Sequence, residues 1–172
     1  MAESLLISIS DIQTYREISA TFKPARFNAF AMEIQRENLR NLLGQSLYKD
    51  FFDNVSVERY TNLLNAKEYT DSNNNTVQYY GLKPILCYWW LAVATREGDL
   101  FLSNHGAIEL VNNPRQNFER YKEKERIAIG YMESAQNYAN DSIEFLNENS
   151  ATYPLWEGTN KKNATNFLTF RL

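Results

Sequence analysis

The ten residues from Ile85 to Ala94, Ile-Leu-Cys-Tyr-Trp-Trp-Leu-Ala-Val-Ala, constrain the fold of this chain more than any other segment. The run shows no polar side, so a helix formed by it must be covered by other elements all round. It is too short to cross a bilayer, which takes about 20 apolar residues. Lys83 and Pro84 precede it, and proline fits the first turn of a helix because its missing N–H costs nothing there. The sequence therefore predicts a compact helical domain around one buried helix, at about residues 82–103.

The composition supports a single domain with a substantial core. The chain has 172 residues, of which 44% are hydrophobic and 14% aromatic, and a domain of this size buries roughly 70% of its unfolded surface. The net charge of −3 is too small to indicate a dedicated nucleic-acid binder. The first residues have neither the basic region nor the cleavage pattern of a signal peptide, so we predict synthesis in a cytoplasm and no membrane association.

The apolar periodicity predicts a mainly α-helical bundle. Ser10 to Gln13 has the form of a capping box that opens a first helix. A second helix is predicted from about Ala25 to Leu43, and two short helices follow at about residues 45–54 and 56–66, with Ser56 as the N-cap of the last.

The second half of the chain combines a small β-hairpin with the longest helix. Residues 68–80 indicate a hairpin around a polar turn at Asp71–Asn75. Because an isolated hairpin is only marginally stable, we expect it to pack on the helices or on another subunit. A loop with a strand-like piece is predicted at residues 104–113, and a long C-terminal helix at about 115–149. The predicted inner face of that helix consists of Phe118, Tyr121, Ala128, Met132, Ala135, Ala139 and Leu146.

The end of the chain differs from the rest. After a helical domain that spans residues 1–156, residues 157–172 are predicted to form an extended C-terminal arm. A polar stretch leads there into the alternating hexapeptide Phe167-Leu-Thr-Phe-Arg-Leu172. A chain end frays unless something holds it. The hexapeptide therefore either docks on its own domain or adds to a neighbouring subunit, and both alternatives stay open.

The chain lacks the residue clusters that catalysis or cofactor binding requires. His105 is the single histidine and Cys87 the single cysteine, so neither a catalytic triad nor a multi-ligand metal site is indicated. Cys87 lies in the apolar run and is interpreted as a buried apolar side chain. The six glycines are isolated and form no phosphate-binding loop. Alternating charges between Glu119 and Arg126 are typical of a solvated helix face. We predict no catalytic, cofactor-binding or metal-binding residues and no enzymatic activity.

Three segments follow one another in a characteristic order: Leu-Leu-Gly-Gln-Ser-Leu-Tyr-Lys-Asp-Phe at residues 42–51, Tyr-Gly-Leu-Lys-Pro-Ile-Leu-Cys-Tyr-Trp-Trp at 80–90, and Tyr-Pro-Leu-Trp at 153–156. In this order and spacing they resemble the adaptor, or ring, proteins of tailed-phage head–tail connectors, as in crAss-like and other phages of Bacteroides. The likeness covers about residues 5–157. It departs from the family at Asn104-His105-Gly106, where a threonine or phenylalanine often precedes the glycine.

The resemblance implies a protomer that assembles into a ring, typically dodecameric, beneath the portal protein. Such a ring is a virion component at the neck. It extends the channel through which genomic double-stranded DNA passes without sequence-specific binding, and it carries the next neck or tail protein. A stopper or tail-completion protein one layer further down is an alternative of the same class. A monomeric helical module that binds a small ligand or a partner protein is an alternative of a different class.

A ring closes when two different patches of each copy meet head to tail. We therefore predict contacts with sister copies or virion partners at the hairpin turn, the loop at residues 104–113 and the arm at 158–172. The mixed-charge long helix is expected to face the channel. The candidate interaction residues are Asn74, Asn75, Ile108, Leu110, Phe167, Leu168, Phe170, Arg171 and Leu172.

Overall fold

The computed structural model describes residues 4–18, 23–97 and 114–158, with the backbone alone for residues 114–120. Within these ranges the protein is mainly α-helical with a two-stranded hairpin, as the sequence predicts. A π-helical turn joins the second helix to the third. In chain order the elements are α1 Ile9–Gln13, α2 Pro24–Ile34, the π turn Gln35–Leu39, α3 Arg40–Leu43, α4 Gln45–Asp53, α5 Glu58–Leu64, β1 Lys67–Thr70, β2 Thr76–Tyr79, α6 Leu82–Glu97 and α7 Pro114–Glu148.

Helix α6 lies at the centre of the core, which confirms the prediction of a helix covered on all sides. Every residue from Pro84 to Thr95 is buried, and α1, α2, α5 and α7 all contact this helix. Trp90 is fully buried between the rings of Phe27 and Phe30, at centroid distances of 5.2 and 6.5 Å. Its indole N–H donates to the carbonyl of Phe27 at 3.3 Å. The predicted continuation of α6 to residue 103 lies outside the described residues.

Helices α2 and α3 are continuous through the π turn. The buried Gln35 of this turn binds the N-terminal segment. The Oε1 atom of Gln35 accepts the backbone N–H of Leu6 at 2.8 Å, and its Nε2 donates to the carbonyl of Ser4 at 3.2 Å. The extended N-terminal segment, with buried Leu6 and Ile7, is thereby fixed to the π turn. Gly44, at φ +76°, separates α3 from α4.

Two predicted helix starts are wrong. The capping box of α1 uses Ser8 rather than Ser10: the Ser8 hydroxyl accepts the N–H of Asp11, and the Asp11 carboxylate accepts the N–H of Ser8 at 2.8 Å. The box differs from the usual sequence pattern because aspartate, not glutamate or glutamine, occupies its third helical position. Helix α5 begins at Glu58 rather than near Ser56, which lies in the preceding turn, and no side chain caps it.

The hairpin packs on α7. The sequence analysis expected it to pack either on the helices or on another subunit, and the structure shows the first of these contacts. Strands β1 and β2 are antiparallel, with Lys67 opposite Tyr79 and Thr70 opposite Thr76. The ring of Tyr79 stacks on Phe145 at 4.1 Å and 2°, while Tyr69 meets the same phenylalanine edge-on at 5.1 Å. The Tyr79 hydroxyl also donates to the carbonyl of Leu63 at 2.8 Å. These contacts make the hairpin part of the helical body.

The C-terminal part of helix α7 packs against α6. The predicted inner face is confirmed from Ala128 onwards, but Tyr121 is 53% exposed, so its predicted place on that face is wrong. The side chain of Phe118 lies outside the described residues. Beyond α7 the chain closes on the core, because the hydroxyl of buried Tyr153 donates to the carbonyl of Arg59 at 2.7 Å. None of the helices in the described part of the chain combines the length and the hydropathy of a membrane span.

Candidate interaction surfaces

The hairpin turn presents the first two predicted interaction residues to solvent. Asn74 and Asn75 are both exposed, and Asn74 adopts a left-handed conformation at φ +63°. The carboxylate of Asp71 organises the turn, since it accepts the backbone N–H groups of Asn73 at 2.9 Å and of Asn75 at 2.8 Å. Hydrogen bonds from Asn75 and Asn73 lower the pKa of Asp71 because they favour its ionised form. The turn is therefore a defined, accessible loop.

The same turn is anchored to the end of α7. The backbone N–H of Ser72 donates to the carboxylate of Glu148 at 2.9 Å. The tip thus has a fixed position relative to the body, and a partner that contacts Asn74 or Asn75 would meet a preorganised surface.

A second surface lies where the hairpin meets α7, and the sequence reasoning missed it. We call it the tyrosine–carboxylate face; its members are Tyr69, Tyr80, Tyr138, Asp141 and Glu144. Tyr80 is 48% exposed and meets Tyr138 edge-on at a ring distance of 5.6 Å. Asp141 and Glu144 are exposed and lie three residues apart on the helix. Tyrosine is enriched in protein interfaces because it offers a large apolar ring with a polar end.

The two carboxylates of this face have no cationic partner within the part of the chain that the structure describes. None of the ion pairs among the described residues involves Asp141 or Glu144. Partial burial and the neighbouring charge of Glu144 raise the pKa of Asp141, because both disfavour its ionised form. Burial and the charges of Glu144 and Asp141 likewise raise the pKa of Tyr69. The sequence carried a signal for this surface, since residues 127–158 contain five acidic residues and no lysine or arginine.

An aromatic row continues from this face into the protein. Tyr138 stacks on Tyr88 at 5.8 Å and 15°, and Tyr88 contacts Tyr15 at 5.4 Å and Tyr131 at 6.2 Å. The guanidinium of Arg16 lies 5.8 Å from the Tyr131 ring, within the range of a cation–π contact. Tyr80 and Tyr138 therefore pack against rings of the protein interior, which restricts their orientation.

The first described side chains of α7 form a third exposed region. Residues 121–127 include no buried side chain, and Tyr121 and Ile129 are 53% and 52% exposed. Arg126 pairs with Glu123 at 2.8 Å, as expected for a solvated face of alternating charge. This region differs in composition from the tyrosine–carboxylate face, so the two ends of α7 offer different surfaces.

The reactive side chains Cys87 and Asp50 have roles in packing and hydrogen bonding. Burial raises the pKa of the Cys87 thiol to about 12, which keeps it protonated and inert at neutral pH. Asp50 accepts hydrogen bonds from Tyr60, from Arg59 at 3.0 Å and from the side chain of Asn54 at 2.7 Å, and so joins α4 to α5. Within the described ranges no group of three or more histidine, cysteine or acidic residues could hold a metal ion.

The remaining predicted residues fall outside the described part of the chain. They are Ile108 and Leu110 of the loop, His105 beside it, and Phe167, Leu168, Phe170, Arg171 and Leu172 of the arm. Their predicted contacts stay predictions.

Comparison with known proteins gives a family match. The sequence profile of a family of unknown function, DUF6712, matches residues 39–166, which is well over half of the chain. No curated protein and no solved structure matches the chain significantly.

Proposed function

We propose that this chain, which belongs to the family DUF6712, is a structural subunit of a phage head–tail connector. In this role it assembles into an adaptor ring beneath the portal protein, lengthens the DNA channel and carries the next component of the neck or tail. The proposal rests on the resemblance of three segments to such proteins and on the position that these segments occupy in the fold.

The observation that carries the proposal is that the three segments form the joints of the helical body. The first contains Gly44, whose positive φ separates α3 from α4. The second contains Gly81, at the junction between β2 and α6, and the third contains Tyr153 and Trp156, both buried. All three lie inside the range that the family profile matches. The likeness therefore concerns residues that determine the shape of the protomer rather than scattered surface positions.

Gly81 illustrates how strictly one of these joints is determined. Its φ is +83°, and a Cβ atom there would lie 2.6 Å from both the backbone carbon of Asn65 and the carbonyl oxygen of Leu64. Only glycine allows the end of α5 to approach the start of α6 so closely. The glycine of the "Gly-Leu-Lys" segment thus has a definite packing role.

The distribution of surfaces suits a ring. Two different patches on one protomer can meet head to tail and close into a cyclic assembly. The tyrosine–carboxylate face and the exposed region at residues 121–127 differ in charge and lie on different parts of α7. A net charge of −3 also suits a conduit for DNA, because strong phosphate binding would slow the passage of the genome.

The test is to locate the protein in assembled particles. We expect electron cryomicroscopy of the neck to show a ring of this chain in direct contact with the portal protein. Mixing the purified chain with the portal protein of the same phage should give the same ring, and portal protein alone is the control. A ring separated from the portal by another layer would assign the stopper role instead. Absence of the chain from purified virions would refute the proposal.

A further inference from the structure

The chain beyond the last described residue has a composition opposite to that of the preceding stretch. Residues 159–172 contain three basic residues, Lys161, Lys162 and Arg171, and no acidic one. They also carry two phenylalanines, Phe167 and Phe170. The segment is thus a cationic and aromatic peptide of fourteen residues attached at Gly158.

The tyrosine–carboxylate face has the complementary chemistry. Asp141 and Glu144 supply two exposed carboxylates without a cationic partner among the described residues. Tyr80 and Tyr138 supply partly exposed rings beside them, and Tyr138 is held in place by its stack on Tyr88. Opposite charges across an interface guide association and fix register, and aromatic pairs add favourable contact.

We infer that the tyrosine–carboxylate face of one copy receives the C-terminal segment, residues 159–172, of the neighbouring copy in the ring. The paired lysines contact the carboxylates of Asp141 and Glu144, and the terminal hexapeptide packs on Tyr80 and Tyr138. The inference rests on the proposed ring, because the ring supplies the neighbour.

The dimensions allow both sets of contacts at once. Tyr138 and Glu144 are six residues apart on α7, which corresponds to about 9 Å along the helix axis. Lys162 and Phe167 are five residues apart, and an extended chain of that length spans up to about 17 Å. The segment can therefore place its lysines on the carboxylates while its aromatic end reaches the tyrosines.

A neighbouring copy is the occupant that fits a head-to-tail ring, in which two different patches of each copy meet. Each copy then donates one segment and accepts one, so every face is filled when the ring closes. If the segment docked on the face of the same chain, the contact would not link one copy to the next. The two arrangements involve the same residues and differ in which chain supplies the segment.

The test is disulfide cross-linking in rings assembled on the portal protein. The only native cysteine, Cys87, is fully buried, so it does not interfere. Rings formed from a mixture of the single variants Glu144→Cys and Lys162→Cys should give disulfide-linked dimers under mild oxidation. Rings of the double variant E144C/K162C should give linked multimers. The matched control replaces Glu144→Cys by Gln136→Cys, which lies on another side of α7, and should give several-fold less product.

Two outcomes overturn the inference. The first is an internal bridge within single chains of the double variant, which would assign the segment to its own domain. The second is equal cross-linking from positions 136 and 144, which would show no preference for the face. If rings form without the predicted cross-link, only this inference is wrong. If no ring forms on the portal and particles lack the chain, the proposed function is wrong as well.

Discussion

Replacement of Gly81 by alanine should destabilise the fold strongly, and the structure gives two separate reasons. At φ +83° the backbone is left-handed, a conformation that costs any residue with a Cβ atom about 1–2 kcal/mol. The added methyl group would also lie 2.6 Å from backbone atoms of Leu64 and Asn65. Backbone atoms cannot rotate away as a flexible side chain would, so α5 or α6 must shift.

The two effects can be added for an estimate of magnitude. Forcing an extra methyl group into a packed site typically costs about 1–3 kcal/mol, which brings the total for Gly81→Ala to about 2–5 kcal/mol. For a domain of this size each kcal/mol lowers Tm by roughly 2–4 °C. A loss of about 3 kcal/mol would therefore lower Tm by roughly 6–12 °C.

Two other glycines provide matched controls. Gly44 also has a positive φ, +76°, but a Cβ atom there would meet nothing within 4 Å. Gly44→Ala should therefore cost only the conformational part, about 1–3 kcal/mol, because φ +76° with ψ 158° lies in a backbone region that essentially only glycine populates. Gly130 lies inside α7 with open space around its Cα, so Gly130→Ala should stabilise the helix by about 0.5–1 kcal/mol. Thermal unfolding followed by circular dichroism ranks the three variants. If Gly81→Ala costs no more than Gly44→Ala, the close approach of α5 to α6 is wrong.

Three further predictions concern the core, the pH response and the C-terminal segment. Phe145→Ala removes the ring under both hairpin strands and should cost about 3–5 kcal/mol, with loss of hydrogen-exchange protection in β1 and β2; unchanged protection would contradict the packing. Burial raises the pKa of Cys87, Tyr60 and Tyr153 to about 12, so the unfolded chain loses these protons first. Stability should therefore fall as pH rises above about 9, by up to about 1.4 kcal/mol per pH unit for Cys87 alone; a urea midpoint that stays constant to pH 11 would refute this. Deletion of residues 159–172 should leave the helical circular dichroism and Tm nearly unchanged but abolish docking to the neighbouring component, and normal particle assembly would contradict it.

The elements of this fold could be predicted where local pattern alone decides them. The run from Ile85 to Ala94 has no polar side, and the structure buries all of it. The hairpin at Lys67–Tyr79 follows from a polar turn between two short strand-like segments, because the Asp71 side chain can replace the missing backbone hydrogen bonds of a turn. In both cases the information lies within about a dozen consecutive residues.

Other features depended on distant parts of the chain. Tyr121 fits the helical spacing of the inner face, yet it is exposed. Helix α7 spans about 52 Å and the described part of α6 about 24 Å, so the predicted inner stripe of α7 extends beyond the described part of α6. The burial of Gln35 could not be predicted either, because its amide forms hydrogen bonds with backbone groups of Ser4 and Leu6, some thirty residues earlier. Such contacts appear only once the N-terminal segment lies against the π turn.

The charge distribution along α7 restricts how copies of this chain can meet. The helix has basic residues only up to Arg126, and its remaining charged side chains are acidic. A two-fold contact through the tyrosine–carboxylate face would place Asp141 and Glu144 against the same carboxylates of the partner, and juxtaposed like charges cost several kcal/mol. The face therefore favours a partner surface that carries lysine or arginine. Because such a surface must come from a different part of the protomer, the charge pattern favours head-to-tail association, which is the geometry that closes into a ring.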